Sequence, residues 1–298
     1  MPGLSAFRAL PLKHPIPLVA TLDERAPVVG TESASHSPTD LASEILRMKT
    51  HKPILRRSLL ALTGVASMSG LIPSRGFANT TRILLINPNS NQATTDMMVR
   101  IAQSAAPGAV EIVGATAPHS PMMIVDTDGL AAAAPQVMEI GLSTGKDVFG
   151  IIISAFGDPG FADLKRQARI PVVGIAEASM LAASEKGRHF GVATTTPKLV
   201  AAINARAAEL GVANRFTGVR LTSGDPVKLA AEPDRMTQAL KQAVTECIEL
   251  DKAEAVVVGG GPLGNAATAL TPMFSIPVIA PIPAAVHRLM GMLALAQK

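Results

Sequence analysis

The sequence predicts an α/β fold of two similar lobes with parallel sheets, and three observations carry that reading. From residue 82 onward, short β-branched and aliphatic runs alternate with segments of helical period. Two of those runs, Ile151-Ile152-Ile153 and Ala255-Val256-Val257-Val258, feed directly into glycine turns at Gly157 and at Gly259-Gly260-Gly261. The order then recurs in step: Asn87 to Ala155 is 68 positions and Thr194 to Gly260 is 66, while Ala155 to Gly174 is 19 and Gly260 to Pro281 is 21. Strands alternating with helices of this length imply parallel sheets covered by helices on both faces.

Each element has its own signal. Residues 82–86 form an apolar strand that ends in Asn87-Pro88-Asn89-Ser90, with a helix at 94–105 and a second strand at 110–113. A loop containing His119, Pro121 and Asp126-Thr127-Asp128-Gly129 leads to an Ala-rich helix at 130–142 and a strand at 148–153. After that strand Gly157 turns the backbone. Asp158 is expected to cap a helix at 161–169, with Pro159 at the first helical position, where its missing N–H costs nothing. Residues 171–175 give the fourth strand and 177–183 a helix. The second half follows: a strand at 189–193 ending in Thr194-Thr195-Thr196-Pro197, a helix at 198–210 stopped by Gly211, and a strand at 216–221. A helix at 234–250, strands at 255–258 and 277–280, and a closing helix at 283–295 complete it. The chain divides into lobe 1 at 79–181, lobe 2 at 182–279, and a C-terminal helical segment at 280–298 returning to lobe 1. The lobes are expected to be Rossmann-like (flavodoxin-like), related by a pseudo-twofold, with the active-site cleft between them.

Composition narrows the function. There is no Trp or Tyr, so the core must be aliphatic and Met-filled. The first 78 residues hold 9 of the 27 basic and 5 of the 23 acidic residues, so the remainder carries 18 of each. A neutral folded part has little electrostatic attraction for a phosphate backbone, and nucleic acid is excluded as a partner. The basic excess belongs to a leader: Arg56-Arg57 directly precedes an apolar run at 59–72, followed by Pro73, Ser74, Gly76 and Ala78. This reads as a twin-arginine signal peptide at 48–78, cut after Ala78, which directs the protein to the periplasm. Its apolar run is too short for a stable membrane span. Translation is expected to begin at Met48, with residues 1–47 a non-native or disordered extension. The sole cysteine, Cys247, recurs with Leu240, Val244 and Ile248 at helical spacing, the pattern of a buried helix face rather than a reactive thiol.

Four loops are expected to meet in the cleft: Asn87 to Ser90, Ala155 to Asp158, Thr194 to Pro197 and Gly259 to Gly264. Each follows a strand and opens a helix, which points unpaired N–H groups and the positive helix end at the gap. Asn87, Asn89, Ser90, Phe156, Gly157, Thr194, Thr195, Thr196, Gly261 and Pro262 are the candidate binding residues. Ser90 and Thr196 taken singly are better read as caps of their own helices. The loops contain no Arg or Lys, and the glycine turn lacks both P-loop and dinucleotide spacing. They suit a small carboxylate or imide-like ring, with no cofactor and no metal.

These residues resemble the aspartate/glutamate/hydantoin racemase family, closest to its hydantoin racemase branch. The resemblance rests on Leu84-Leu85-Ile86-Asn87-Pro88-Asn89-Ser90, Phe156-Gly157-Asp158-Pro159-Gly160, Val173-Gly174-Ile175-Ala176-Glu177-Ala178 and the turn at Gly259. It implies two pseudo-symmetric lobes around the substrate, cofactor independence and a homo-oligomer. It also implies inversion of a carbon acid by two cysteines, one from each lobe. Their positions correspond here to Ala155 and Gly260, which carry no proton, so the family's two-thiol chemistry is absent. Asp158, Glu177, Thr195 and His119 are the candidate replacements, although Asp158 reads better as a cap and Glu177 as a solvated first-turn carboxylate. His119 lies in a loop placed to fold over the pocket.

The sequence thus points to a cofactor-free, isomerase-like enzyme of this family acting on a small amino-acid-derived, hydantoin-like or carboxylate substrate by altered chemistry, extending to lyase or hydrolase reactions. The alternative is an exported ligand-binding protein or inactive relative. Mass spectrometry of the secreted protein is expected to find Asn79 as the first residue; an intact Met1 on a cytoplasmic protein would refute export.

Overall fold

A computed structural model describes residues 81–296. The extension at 1–47, the signal peptide at 48–78, the translation start at Met48 and the cleavage site lie outside the described residues. The elements, in order, are β1 (Thr81–Asn87), α1 (Gln92–Ala105), β2 (Val110–Thr116), α2 (Thr127–Leu142), β3 (Val148–Ile153), α3 (Phe161–Gln167), β4 (Val172–Gly174) and α4 (Ile175–Ser184). There follow β5 (Phe190–Thr194), α5 (Val200–Glu209), β6 (Phe216–Leu221), α6 (Pro226–Ala230), α7 (Pro233–Glu249), β7 (Ala255–Val258), α8 (Gly264–Leu270), β8 (Val278–Ile279) and α9 (Pro281–Ala296).

The two lobes have one topology. One sheet runs β2-β1-β3-β4 and the other β6-β5-β7-β8, and every pairing is parallel. In each, the chain moves outward from the first strand and then crosses back to the other side of it. That reversal lies between β1 and β3 in one sheet and between β5 and β7 in the other. Open parallel sheets bind ligands outside the carboxyl ends of the strands at such a reversal, because the two flanking loops diverge there and leave a crevice.

The β3 and β7 strands are continuous apolar runs because both of their faces are covered. Ile151, Ile152 and Ile153 are fully buried, as are Val256, Val257 and Val258. Two helices couple the lobes to these sheets. Helix α4 presents Ala178 to the core of the first sheet, and Ala176, Met180 and Ala183 to the core that contains Phe190, Val192 and Ile203 of the second. Helix α9 lays Ile282, Ala285, Val286 and Leu289 against Ile83, Leu85 and Ile152 of the first sheet. Gly150 of β3 leaves the room for this, since a Cβ there would come within 2.9 Å of Leu289. Among the described residues no helix is long and apolar enough to cross a membrane.

Two sequence expectations need correction. Asp158 does not cap α3. It sits at φ +49°, and Gly160, at φ +72°, precedes the helix without a side-chain cap. The tight turn from Asp158 to Gly160, in which the Phe161 N–H reaches the Asp158 carbonyl at 3.1 Å, leaves the Asp158 carboxylate free to point elsewhere. Neither Ser90 nor Thr196 caps a helix with its side chain, although Thr196 does stand at the N-cap position of the turn at Pro197–Leu199. Asn91 caps α1 by accepting from Thr94 N–H, and the Thr196 hydroxyl lies 3.2 Å from that of Thr194. The short helix α6, capped by Asp225, is an addition the periodicity does not announce.

Leu289→Ala should lower unfolding free energy by about 2–5 kcal/mol, because it opens a cavity between α9 and β3 that neither neighbour can fill. Urea unfolding measures this, and a loss below about 1 kcal/mol would mean that α9 does not seal the first sheet.

Candidate functional site

The first strand of each lobe ends in a turn built by its own side chains. Asn87 is fully buried and uses its amide to make the turn: Nδ2 donates to Asn89 Oδ1 (2.9 Å), Asn91 O (3.1 Å) and Thr95 Oγ1 (2.9 Å), while Oδ1 accepts from Asn89 N–H (3.1 Å). In lobe 2, Thr194 Oγ1 donates to the Gly259 carbonyl at 2.7 Å and so ties the end of β5 to the end of β7. Its proton is thereby committed, and the Thr196 hydroxyl must act as donor toward it. Thr195 Oγ1 makes no hydrogen bond among the described residues.

A hollow of about 50 Å3 lies between these loops. Asn89, Ser154, Ala155 and Phe156 contribute from lobe 1, and Thr194, Thr195, Thr196, Gly259, Gly260, Gly261 and Pro262 from lobe 2. Its apolar lining is Met123, Ile124, Phe156, Leu199 and Leu263. The rest of the lining carries neutral donors. The backbone N–H groups of Thr195, Thr196, Gly260 and Gly261 donate to no protein acceptor among the described residues. Unpaired amides at one small hollow are suited to an anionic or strongly polarised oxygen. None of the lining side chains is ionisable.

Most of the residues singled out in the sequence meet here: Asn89, Ala155, Phe156, Thr194, Thr195, Thr196, Gly260, Gly261 and Pro262. Asn87, Ser90 and Gly157 do not line the hollow; they shape the loops that do. Asn87 spends its amide as described, Ser90 donates its N–H to the Pro121 carbonyl at 3.1 Å, and Gly157 turns at φ +128° against Leu130. His119 is exposed, with its N–H directed to Gln136 Oε1 at 3.3 Å. Its loop does cover the hollow, but through Met123 and Ile124. Those two, with Ser154 and Leu199, lie outside the four loops read from the sequence, and Leu263 lies in one of them without being singled out. Leu199 and Leu263 each follow a predicted residue by three positions, the spacing that brings a side chain back over the same face of a helical turn. Cys247 is buried in lobe 2 away from the hollow, and burial pushes its thiol up to about 12. A larger groove of about 800 Å3 between α4, α9 and β8 contains none of the predicted residues.

The two carboxylates are buried beside the site rather than in it. Asp158 accepts from the N–H groups of Ala176 (2.9 Å) and Glu177 (2.8 Å), so it caps α4, not the helix that follows it in sequence. Gly174 lies directly beneath that carboxylate, where a Cβ would overlap it. Arg206 of α5 donates from Nε to Asp158 Oδ2 at 3.1 Å, and its guanidinium stacks over the Phe161 ring at 4.5 Å. Burial pushes the Asp158 carboxyl up to about 6, against the opposing pull of Arg206 and the two amides. Glu177, expected to be solvated, is 3% exposed; its Oε1 faces Lys165 (3.3 Å) and Arg288 (3.4 Å) while Oε2 has no partner among the described residues. Among the described residues no group of three or more His, Cys, Asp or Glu is placed to hold a metal.

A sequence profile of the Asp/Glu/hydantoin racemase family matches residues 83–289. The chain belongs to that family. It is 28% identical over 208 residues to a hydantoin racemase of Paenarthrobacter aurescens, covering 68% of this chain and 87% of that protein. The racemase-family fold is also seen in crystal structures of allantoin racemases from Pseudomonas fluorescens (TM-score 0.69, 25% identity, 72% of this chain and 92% of that one) and Klebsiella pneumoniae (TM-score 0.69, 27% identity, 72% and 89%).

The buried pair predicts its own mutational pattern. Arg206→Met should cost about 3–5 kcal/mol by stranding a buried carboxylate, whereas the Asp158→Asn/Arg206→Met double variant should lie close to wild type. The folded chain holds the Asp158 proton more tightly than the unfolded chain does. This carboxyl therefore contributes stability that is complete below its ordinary value of 3.8 and is lost as pH rises through about 6. Unfolding from pH 3.5 to 7 should show that decline in wild type but not in Asp158→Asn; parallel curves would contradict it.

Proposed function

We propose that the protein is an isomerase-like enzyme of the racemase family that binds a small amino-acid-derived cyclic amide or carboxylate in the hollow without a cofactor, and that its chemistry does not use a cysteine pair. The observation that carries this is that the N–H groups of Thr195, Thr196, Gly260 and Gly261, and the Thr195 hydroxyl beside them, have no partner among the described residues. Donors already in place where negative charge develops stabilise an enolate without reorganisation. That role needs no thiol. The apolar lining of Met123, Ile124, Phe156, Leu199 and Leu263 would hold the substituent on the reacting carbon.

In this reading Ala155 and Gly260 stand where the family carries its two cysteines, and Asp158 and Glu177 serve structure, since neither reaches the hollow. Removal of the α-proton and its return must then both fall to water or to a basic group on the substrate itself. A second reading, a binding protein without turnover, is supported by one observation: no ionisable side chain lines the hollow. We extend the proposal to twin-arginine export, a periplasmic location and a homo-oligomer.

Incubation with 5-substituted hydantoins and amino acids in deuterium oxide tests the enzyme reading. Deuterium should enter the α-position faster than in protein-free buffer, and an Asn89→Ala/Thr195→Val variant should lose at least tenfold of that rate. Saturable binding with no exchange or product would favour the binder. Replacing the cysteines tests the geometry. A Cβ on Gly260 would come within 2.8 Å of the Leu263 side chain and would sit on backbone at φ +157°, so Ala155→Cys/Gly260→Cys should racemise only weakly, and Leu263→Ala should raise that activity without restoring it fully. Racemisation that is unaffected by that third change would show that Leu263 does not fill the cysteine's place.

A further inference from the structure

The hollow is narrow. Its volume of about 50 Å3 suits one or two waters, whereas small-molecule sites have volumes from about 300 Å3. A lining group must move before a ligand enters. The bulkiest lining side chain is Phe156, held so tightly against lobe 2 that a Cβ on Gly259 would come within 2.8 Å of its ring. Phe156 belongs to the same buried cluster as Phe190, Val192, Leu199 and Ile203 of lobe 2, so the turn at 155–158 reaches across from lobe 1.

That turn is fastened at its far end. The Asp158 N–H closes it onto the Ala155 carbonyl at 3.0 Å. Its side chain, fully buried, is fixed on lobe 1 by the α4 amides and on lobe 2 by Arg206. Helix α5, which carries Arg206, begins just after the Thr194 to Thr196 wall of the hollow. Arg206 is held in turn by the Phe161 ring and by Glu209, 3.1 Å from Nη1. Thus one buried ion pair joins the loop that bears Phe156 to the helix that follows the opposite wall.

We propose that Asp158 and Arg206 are positioning residues, forming a buried pin between the lobes that holds the Phe156 turn across the hollow and sets the size of ligand admitted. The proposal rests on the functional reading only for the identity of what enters; the pin is a property of the free protein.

Hydrogen exchange read by mass spectrometry on the whole chain tests it without any ligand, so its failure and the failure of the functional reading are distinguishable. In Arg206→Met and in Asp158→Asn, amides at 155–161 should exchange at least tenfold faster than in wild type, while those of β1 and β5 change less than twofold. Asn accepts the positive φ at position 158. Arg206→Lys keeps the charge but loses the planar fork that both pairs and stacks, and should fall between. The Asp158→Asn/Arg206→Met double variant leaves no unpaired buried charge and decides the matter if a single variant fails to fold. It should unfold at nearly the wild-type temperature yet still exchange fast at the turn. Wild-type exchange at 155–161 in the double variant, or an equal rise in every element, overturns the proposal.

Discussion

The lobes meet at a place where no side chain fits. A Cβ on Gly261 would come within 2.6 Å of the Ser154 carbonyl and 2.9 Å of Met98 Sδ, and one on Gly259 would press into the Phe156 ring. The end of β7 therefore lies directly against the end of β3, backbone on backbone. Because both strands end at the reversal point of their sheet, this contact brings two equivalent crevices into one. The amides left unpaired by the two turns then face a shared space, and its small volume follows from how closely the glycines let the strands approach.

The surrounding packing serves that contact. Helix α4 touches the cores of both sheets, and its small residues let it lie between them. Its first turn is capped from a distance of eighteen residues by Asp158, which also reaches Arg206 in the other lobe. The sequence signatures Phe156-Gly157-Asp158-Pro159-Gly160 and Val173-Gly174-Ile175-Ala176-Glu177-Ala178 are thus two halves of one device: the first supplies a carboxylate, and the second supplies the bare glycine and helix amides that receive it.

What could be read from the chain was what depends on period and spacing. Strands β3 and β7 and the duplicated order follow from apolar runs and from the nearly equal intervals between turns. The hollow itself was visible because its walls are loops after strands, marked by Asn, Thr and Gly. Partners distant in sequence were not visible. The local pattern Asp-Pro-Gly fits a cap for the next helix equally well, and only the fold reveals that φ +49° at Asp158 aims the carboxylate at α4. Glu177 looked solvated because an acidic residue in a first turn ordinarily is; the return of α9, with Arg288, is what buries it. Met123 and Ile124, four and five positions beyond the exposed His119, are apolar residues in a polar loop and carry no local signal of a binding role.

The central claim is that amides at the facing strand ends grip a small polar guest. A crystal structure of the protein soaked with a hydantoin or a small carboxylate tests it most directly. The account predicts a ligand oxygen within about 3 Å of the Thr195 and Gly260 or Gly261 N–H groups, with the Phe156 turn displaced. A ligand seated instead in the groove between α4 and α9, with the hollow unchanged, would contradict it.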